Sequence, residues 1–314
     1  MHVAVSGASG FLGTHLCLEL AARGHRVTAL ERAQLQAGDC SGALRGADSI
    51  VHLAARAHVL SESCADPRAE FHRANVLVTQ QLASTAQRAG VRRFIFVSSA
   101  GVLGACSPRG GFSEDAVPRP HDAYTASKLE AELWLQRQLS SAMELAILRP
   151  PLIYGAGARG NFMRLLRLAA RGVPLPVGAL RAPRSLVGVG NVVDLIITLA
   201  AAPSVNRVTM LVADSEITCV ADLYQTVARE AGHRLWLAPL PPALIRFVLG
   251  LSGRSQDVIR LTGSFVLQPQ IARARFGWVP PHSQQDQLRR AVASEIEARY
   301  LRRTAREGAA GKRQ

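Results

Sequence analysis

The chain has 314 residues, 48% of them hydrophobic and 19% charged, which suits one large α/β unit or two ordinary lobes and excludes global disorder. The formal net charge is +14, but only two of the 37 basic residues are lysines (Lys128 and Lys312) and aromatics are 5%, so an arginine-rich composition without stacking residues argues against nucleic acid as a partner. No apolar run offers the ~20 clean residues of a membrane span.

In chain order, residues 3–6 read as a short strand, followed by a glycine-rich turn and a helix over 11–23. Strands are expected at 26–30, 50–54 and 94–98, with a long helix over 67–89 between the last two. A helix over 123–139 and a buried strand at 145–148 complete an alternation that implies a parallel, doubly wound sheet with right-handed crossovers. Beyond Tyr154 the pattern loosens. Helices are expected at 162–170, 191–201 and 221–231, a strand at 207–212, and a Pro/Gly-rich segment at 172–183. The arginine-rich tail 302–314 reads as flexible.

The N-terminal residues lack the basic and long apolar regions of a signal peptide, and Cys17, Cys40, Cys64, Cys106 and Cys219 contain no C-x-x-C pair. Both features lead to the expectation of a reducing, cytoplasmic setting without a structural metal.

Four constellations carry chemistry. Gly7-Ala8-Ser9-Gly10-Phe11-Leu12-Gly13 follows the first strand and opens the first helix, the context in which glycines let a backbone approach a pyrophosphate at a helix N-terminus. Glu31 closes the second strand, near the ~20-residue offset of a ribose-hydroxyl ligand, with Arg32 beside it as a candidate for a 2′-phosphate. NAD is therefore expected, with NADP as the alternative. Tyr124 and Lys128 stand four positions apart on one helical face, where an ammonium is expected to lower the phenol pKa toward a neutral-pH proton exchange. With four tyrosines and two lysines in the chain, that pairing arises by accident in about 2–3% of cases. Ser98 and Ser99 end a central strand, where open α/β sheets bind ligands and where a hydroxyl can donate to a substrate oxygen.

Together with Val51-His52-Leu53-Ala54-Ala55 and Asn75, these motifs resemble the extended short-chain dehydrogenase/reductase family. Within it the similarity is to the nucleotide-sugar epimerase/dehydratase branch, the group around UDP-glucose 4-epimerase, and it runs from Val3 to about Pro281. The resemblance implies a Rossmann domain over 1–152 and 186–213, and a smaller α+β lobe over 153–185 and 214–301 that takes a nucleotide sugar. It implies Ser99 as the catalytic hydroxyl, Tyr124 as the base and Lys128 as the residue that tunes it and holds the nicotinamide ribose. Asn75 and the stretch Leu53-Ala54-Ala55 would border the dinucleotide, and Asp39 would meet the adenine. Asn161 would contact the substrate diphosphate, Arg184 would grip its phosphate, Arg254 would bind the substrate, and a homodimer through the helices 67–89 and 123–139 would be usual.

The departures narrow the reading. Ala100-Gly101 stands where 4,6-dehydratases of the branch carry Asp-Glu, which disfavours water elimination. Leu103 and Leu152 replace a usual tyrosine and a substrate-binding asparagine, and Ser185 and Gly188 replace an Asp and a His of the second-lobe motif. The stretch 33–46 is too short for the usual third strand. The expected activity is a nucleotide-sugar 4-epimerase of surface polysaccharide synthesis. The alternatives are a 4-ketoreductase making a 6-deoxy sugar and a noncatalytic NAD(P)-binding regulator. A basic surface beside the apolar segment 239–251 also invites peripheral membrane contact, with a lipid-linked sugar as substrate.

Overall fold

The fold is read from a computed structural model that describes residues 1–57, 66–158, 160–175, 177–238 and 262–311. Its strands are β1 (His2–Ser6), β2 (Arg26–Leu30), β3 (Ser49–His52), β4 (Arg93–Val97), β5 (Glu144–Arg149), β6 (Leu152–Tyr154), β7 (Arg184–Gly188), β8 (Arg207–Leu211) and β9 (Ile217–Thr218). Six of them form one all-parallel sheet in the order β2-β1-β3-β4-β5-β8. The chain leaves β1 toward β2 and then returns to β3 on the other side. That reversal opens a crevice at the carboxyl ends of the strands, the place where such sheets bind ligands.

Alternate side chains feed two cores. Val3, Val5, Val51, Ile95 and Leu148 pack under α1 (Phe11–Ala22) on one face. On the other, Ala4, Ile50, Phe94, Phe96 and Ile147 are covered by helices described below. Strands buried on both faces explain why they read as unbroken apolar runs rather than alternating ones. The short stretch after β2 holds α2 (Arg32–Ala37) and α3 (Ser41–Leu44) in place of a strand, as its length suggested.

The long helix expected over 67–89 is interrupted. It consists of α4 (Pro67–Phe71), a π-helical turn at His72–Leu77, and α5 (Val78–Arg88). A π-turn inserts an extra residue per turn and is a frequent companion of functional sites. α5 and α6 (Ala123–Gln138) cover the second face of the sheet, and α6 starts with Asp122 accepting from the Thr125 amide at 2.7 Å. That cap supplies one of the first-turn amides with the partner it lacks inside the helix.

The second lobe is built on β6 and β7, parallel to each other, with β9 antiparallel to β7. α7 (Asn161–Ala169), α9 (Val220–Glu230) and the closing helix Gln284–Gly311 surround a core of Tyr154, Phe162, Leu166, Leu186, Tyr224 and Leu288. Residues 302–311 of the tail, expected to be flexible from their composition, continue the closing helix. Ala, Arg and Glu have high helix propensity, and once nucleated a helix gains one bond for each residue added.

β7 joins the lobes: Leu186 packs into the second core and Val187 into the first. α8 (Val189–Ala201), which follows directly, is buried on nearly every side between them. At this seam the buried Asp214 carboxylate accepts from Tyr154 Oη and Asn191 Nδ2 at 2.6 Å each and from the Gly188 amide at 3.1 Å. Burial pushes the Asp214 carboxyl above its usual range, against the pull of those three donors, and pushes the Tyr154 phenol up as well.

Candidate active site

The glycine turn after β1 shows why three glycines are needed. Gly7 has φ +72°, and a Cβ there would stand 2.8 Å from the Ala54 amide nitrogen. A Cβ on Gly13 would meet the Gly7 carbonyl oxygen at 2.1 Å, so only glycine lets α1 begin this close to β1. Gly10 caps α1 without any side-chain hydrogen bond, and the first turn carries no acidic residue. The N-terminal amides and the positive end of the helix dipole are thus left for an external anion, and a pyrophosphate fits this cradle. Ser9 is exposed on the turn, and Phe11 and Leu12 are half-buried at the helix start, with Phe11 reaching both cores.

Glu31, Arg32 and Asp39 lie beyond the carboxyl end of β2, all exposed. The Glu31 amide donates to Gln34 Oε1 at 3.0 Å, and Asp39 accepts from Ser41 Oγ at 2.8 Å. On the other side of the switch point, the Leu53 and Ala54 amides donate to Ser6 Oγ at 3.1 and 3.3 Å, which holds the Leu53-Ala54-Ala55 stretch against the glycine turn.

Sequence reasoning missed the buried chain beneath that stretch. His52 Nδ1 lies 2.5 Å from Ser6 Oγ and Nε2 lies 2.9 Å from Thr79 Oγ1, while Thr79 Oγ1 donates to the Asn75 carbonyl at 2.6 Å. Since the Thr79 proton is committed, His52 Nε2 must donate to it and Nδ1 must accept from Ser6, which assigns a neutral tautomer. Burial first, and the nearby Lys128 charge second, push His52 down to about 3, in keeping with that assignment. The signal was present in Val51-His52-Leu53-Ala54-Ala55, but nothing in one dimension indicated that Thr79 lies opposite.

Asn75 sits in the π-turn, 1% exposed, and its amide is committed to protein partners. Its Oδ1 accepts from the Arg56 amide at 2.8 Å, and its Nδ2 donates to the Arg56 carbonyl at 3.2 Å and to Ser127 Oγ at 2.9 Å. Ser127 in turn donates to the Tyr124 carbonyl at 2.7 Å. Asn75 therefore braces the crevice wall and the start of α6; its side chain does not reach into the crevice as a free group.

Ser99 ends the loop after β4 and caps the short 3-10 turn Ala100–Leu103, its Oγ accepting from the Gly101 amide at 3.1 Å. A Cβ on Gly101 would fall 2.8 Å from Thr125 Cγ2 and 3.2 Å from Ser99 Oγ. The first turn of α6, which carries Tyr124, is thus packed directly against the serine loop. Lys128 is 2% exposed, with Nζ 4.2 Å above the Phe96 ring, and the Tyr124 ring meets Phe71 edge-on at 6.1 Å. A cation over an aromatic face is stabilised by the ring quadrupole, but not enough to offset lost hydration here.

The electrostatics correct one expectation. Burial pushes the Tyr124 phenol up to about 12, with Asp122 adding to the effect, instead of the lysine drawing it down. Burial likewise pushes Lys128 down to about 7, opposed by Glu132. Glu132 itself is engaged by Arg149, at 2.6 Å between Oε2 and Nη2. In the free protein the charged forms of both groups are disfavoured by desolvation.

On the second lobe, Arg184 opens β7 and donates from Nη2 to the Gly263 carbonyl at 2.9 Å, while its Nε is buried without a hydrogen-bond partner among the described residues. Burial lowers its pKa. An orphaned guanidinium N–H is a natural donor to a phosphate oxygen. Asn161 is the first residue of α7. Arg254 and the apolar segment 239–251 lie outside the described residues. No cluster able to hold a metal ion is found among the described residues, and no described helix is long and apolar enough to cross a membrane.

Comparison with known proteins agrees with this geometry. Over most of its length the chain is similar to a UDP-glucose 4-epimerase from Vibrio cholerae, 32% identical over 94% of this chain and 96% of that protein. A second relative, N-acetyl-α-D-glucosaminyl-diphospho-ditrans,octacis-undecaprenol 4-epimerase from Escherichia coli O157:H7, is 32% identical over 62% of each chain. Among solved structures, MoeE5 in complex with UDP-glucose and NAD superposes with a TM-score of 0.76 at 24% identity, covering 95% of this chain and 99% of that one, which speaks for the fold. The family model for the NAD-dependent epimerase/dehydratase family matches residues 3–212, and the chain belongs to that family of NAD-dependent enzymes.

Proposed function

We propose that this protein is a nucleotide-sugar 4-epimerase acting on a UDP-hexose or UDP-N-acetylhexosamine in surface polysaccharide synthesis. The observation that supports the reading is that the Ser99 loop packs against the first turn of α6, the helix that carries Tyr124 and Lys128, in a fold whose glycine turn fits a dinucleotide pyrophosphate. A nicotinamide dinucleotide, when bound, supplies the hydride acceptor and donor and a cationic ring.

The chain's own residues do the rest. Gly7, Gly10 and Gly13 make room for the pyrophosphate at the start of α1. Tyr124 Oη takes the proton of the sugar C4 hydroxyl and returns it, and Ser99 Oγ donates to the same oxygen as charge develops. Lys128 supplies the positive charge that shifts the phenol toward its ionised form once the site is filled. Arg184 Nε and the backbone at the start of α7 face the substrate diphosphate.

Water elimination at C5 and C6 is disfavoured for a steric reason as well as a chemical one. Gly101 has no room for a carboxylate side chain while Thr125 Cγ2 occupies the position its Cβ would need.

The test is to purify the protein, release and identify any retained nucleotide, and follow UDP-glucose and UDP-N-acetylglucosamine by proton NMR without added reductant. Retained NAD and an equilibrium mixture of C4 epimers are expected. Inertness until a 4-keto sugar and reduced cofactor are supplied makes the enzyme a 4-ketoreductase, and inertness to both overturns the catalytic reading.

A further inference from the structure

The charge of this chain is unevenly placed. Residues 1–152 and 186–213 hold 16 basic and 14 acidic side chains, close to neutrality, whereas residues 153–185 and 214–314 hold 21 basic and 9 acidic. A pyrophosphate-binding crevice needs only a few of these, and several stand together on one exposed surface of the second lobe.

That surface is formed where the turn after α7 meets the turn after α9. Gly172 packs on His233, for a Cβ there would lie 3.0 Å from the imidazole Nδ1, and the Gly178 amide donates to the Ala238 carbonyl at 3.2 Å. Arg171 and Arg234 are exposed on these two turns and Arg229 is exposed in the last turn of α9, and none makes an ion pair among the described residues. The neighbouring carboxylates are already used. Asp222 pairs with Arg181 at 2.5 Å and Glu230 with Arg289 at 3.1 Å.

Among these arginines stands Trp236, 78% exposed, the most exposed large apolar side chain of the described residues. Its exposure is not a loose end. Leu235 and Leu237 on either side pack into the second-lobe core, so the backbone is anchored and the alternation turns the indole outward.

We propose that this face docks the enzyme on a bilayer surface rich in anionic phospholipid, with Arg171, Arg229 and Arg234 meeting headgroup phosphates and Trp236 entering the interface. The indole, with an apolar body and one N–H donor, is suited to the boundary between headgroups and acyl chains. Each unpaired arginine near such a surface raises partitioning about fivefold, and the gain is lost in high salt. One isolated indole is a poor platform for successive bases, which argues against a nucleic-acid strand as the occupant. The inference does not depend on which sugar the enzyme turns over.

The experiment is co-sedimentation of the full-length protein with vesicles of phosphatidylglycerol and phosphatidylcholine, and with vesicles of phosphatidylcholine alone. Binding to the first, abolished by about 1 M salt, and little binding to the second is expected. The Arg171→Ser, Arg229→Ser, Arg234→Ser triple variant should lose at least tenfold in partitioning while its melting temperature and its turnover of soluble nucleotide sugar stay unchanged. Tryptophan emission should shift to the blue on anionic vesicles, and the shift should vanish in Trp236→Phe because Trp278 is buried and Trp134 packs half-buried against the core of the main sheet. Equal binding to both vesicle types, wild-type binding by the triple variant, or an emission shift that survives Trp236→Phe overturns the proposal. So does tighter binding to a single-stranded RNA oligomer than to the anionic vesicles at the same ionic strength.

Discussion

The two ends of the crevice at the carboxyl edge of the sheet are built on opposite terms. At the end beneath β4 and α6, Lys128 is 2% exposed, Tyr124 is half-buried, and their pKa values are moved by desolvation. At the end beyond β2, Glu31, Arg32 and Asp39 are all exposed to solvent. The buried end controls protons strongly because a charge there has few compensating partners, whereas the exposed end discriminates weakly because water and salt screen its charges. Chemistry and cofactor choice should therefore respond to mutation on different scales.

The largest effect should come from Tyr124→Phe, which removes the exchangeable proton and leaves the ring against Phe71. Turnover should fall by about 10²–10⁴ with little change in melting temperature. Activity within tenfold of wild type would remove Tyr124 from its role. Ser99→Ala should cost about 10²–10³ in kcat, the price of one preorganised donor at a developing oxyanion. Should kcat hold, the buried Ser98 hydroxyl, which has no hydrogen-bond partner among the described residues, is the next candidate.

A third test reads the buried end through stability. The folded protein releases the Lys128 proton near 7, whereas the unfolded chain holds it to about 10.5. Between those values the unfolded chain binds more protons, so stability of the cofactor-free protein rises with pH from 7 toward 10. Lys128→Met should flatten that rise in urea denaturation midpoints measured across the window. An unchanged slope would mean that the lysine is not desolvated.

The smallest effect belongs to the exposed end. A buried carboxylate at Glu31 would have rejected NADP by a wide margin, but an exposed one is worth about 1 kcal/mol, so Glu31→Ala should shift the NAD-to-NADP affinity ratio only about fivefold toward NADP. A shift of a hundredfold or more would show that the bound dinucleotide buries this carboxylate and would erase the contrast between the two ends.

Much of the fold was legible because its signals are local. The six strands of the main sheet, α1 and α6 were each expected to within about two residues, since doubly buried strands and glycine-punctuated turns carry their own pattern. β6, β7 and β9 were not expected, being two to five residues long and composed of mixed types. The π-turn was hidden because the apolar spacing of Phe71, Val76 and Leu82 continues through it. The continuation of the closing helix past residue 301 was missed because a polar composition was weighed above helix propensity.

The candidate site divides in the same way. By itself the sequence determined the glycine cradle, the Tyr124 and Lys128 pair on one helical face, and the serine at a strand end, because each depends on neighbours within a few positions. Only the tertiary structure decided that Lys128 lies over Phe96, that His52 is locked neutral between Ser6 and Thr79, that Asn75 spends its amide on the protein, and that Thr125 leaves no space at Gly101. It also decided that Glu31 is exposed while Lys128 is not. Desolvation is set by whatever packs around a group, and those neighbours come from strands and helices tens of residues away along the chain.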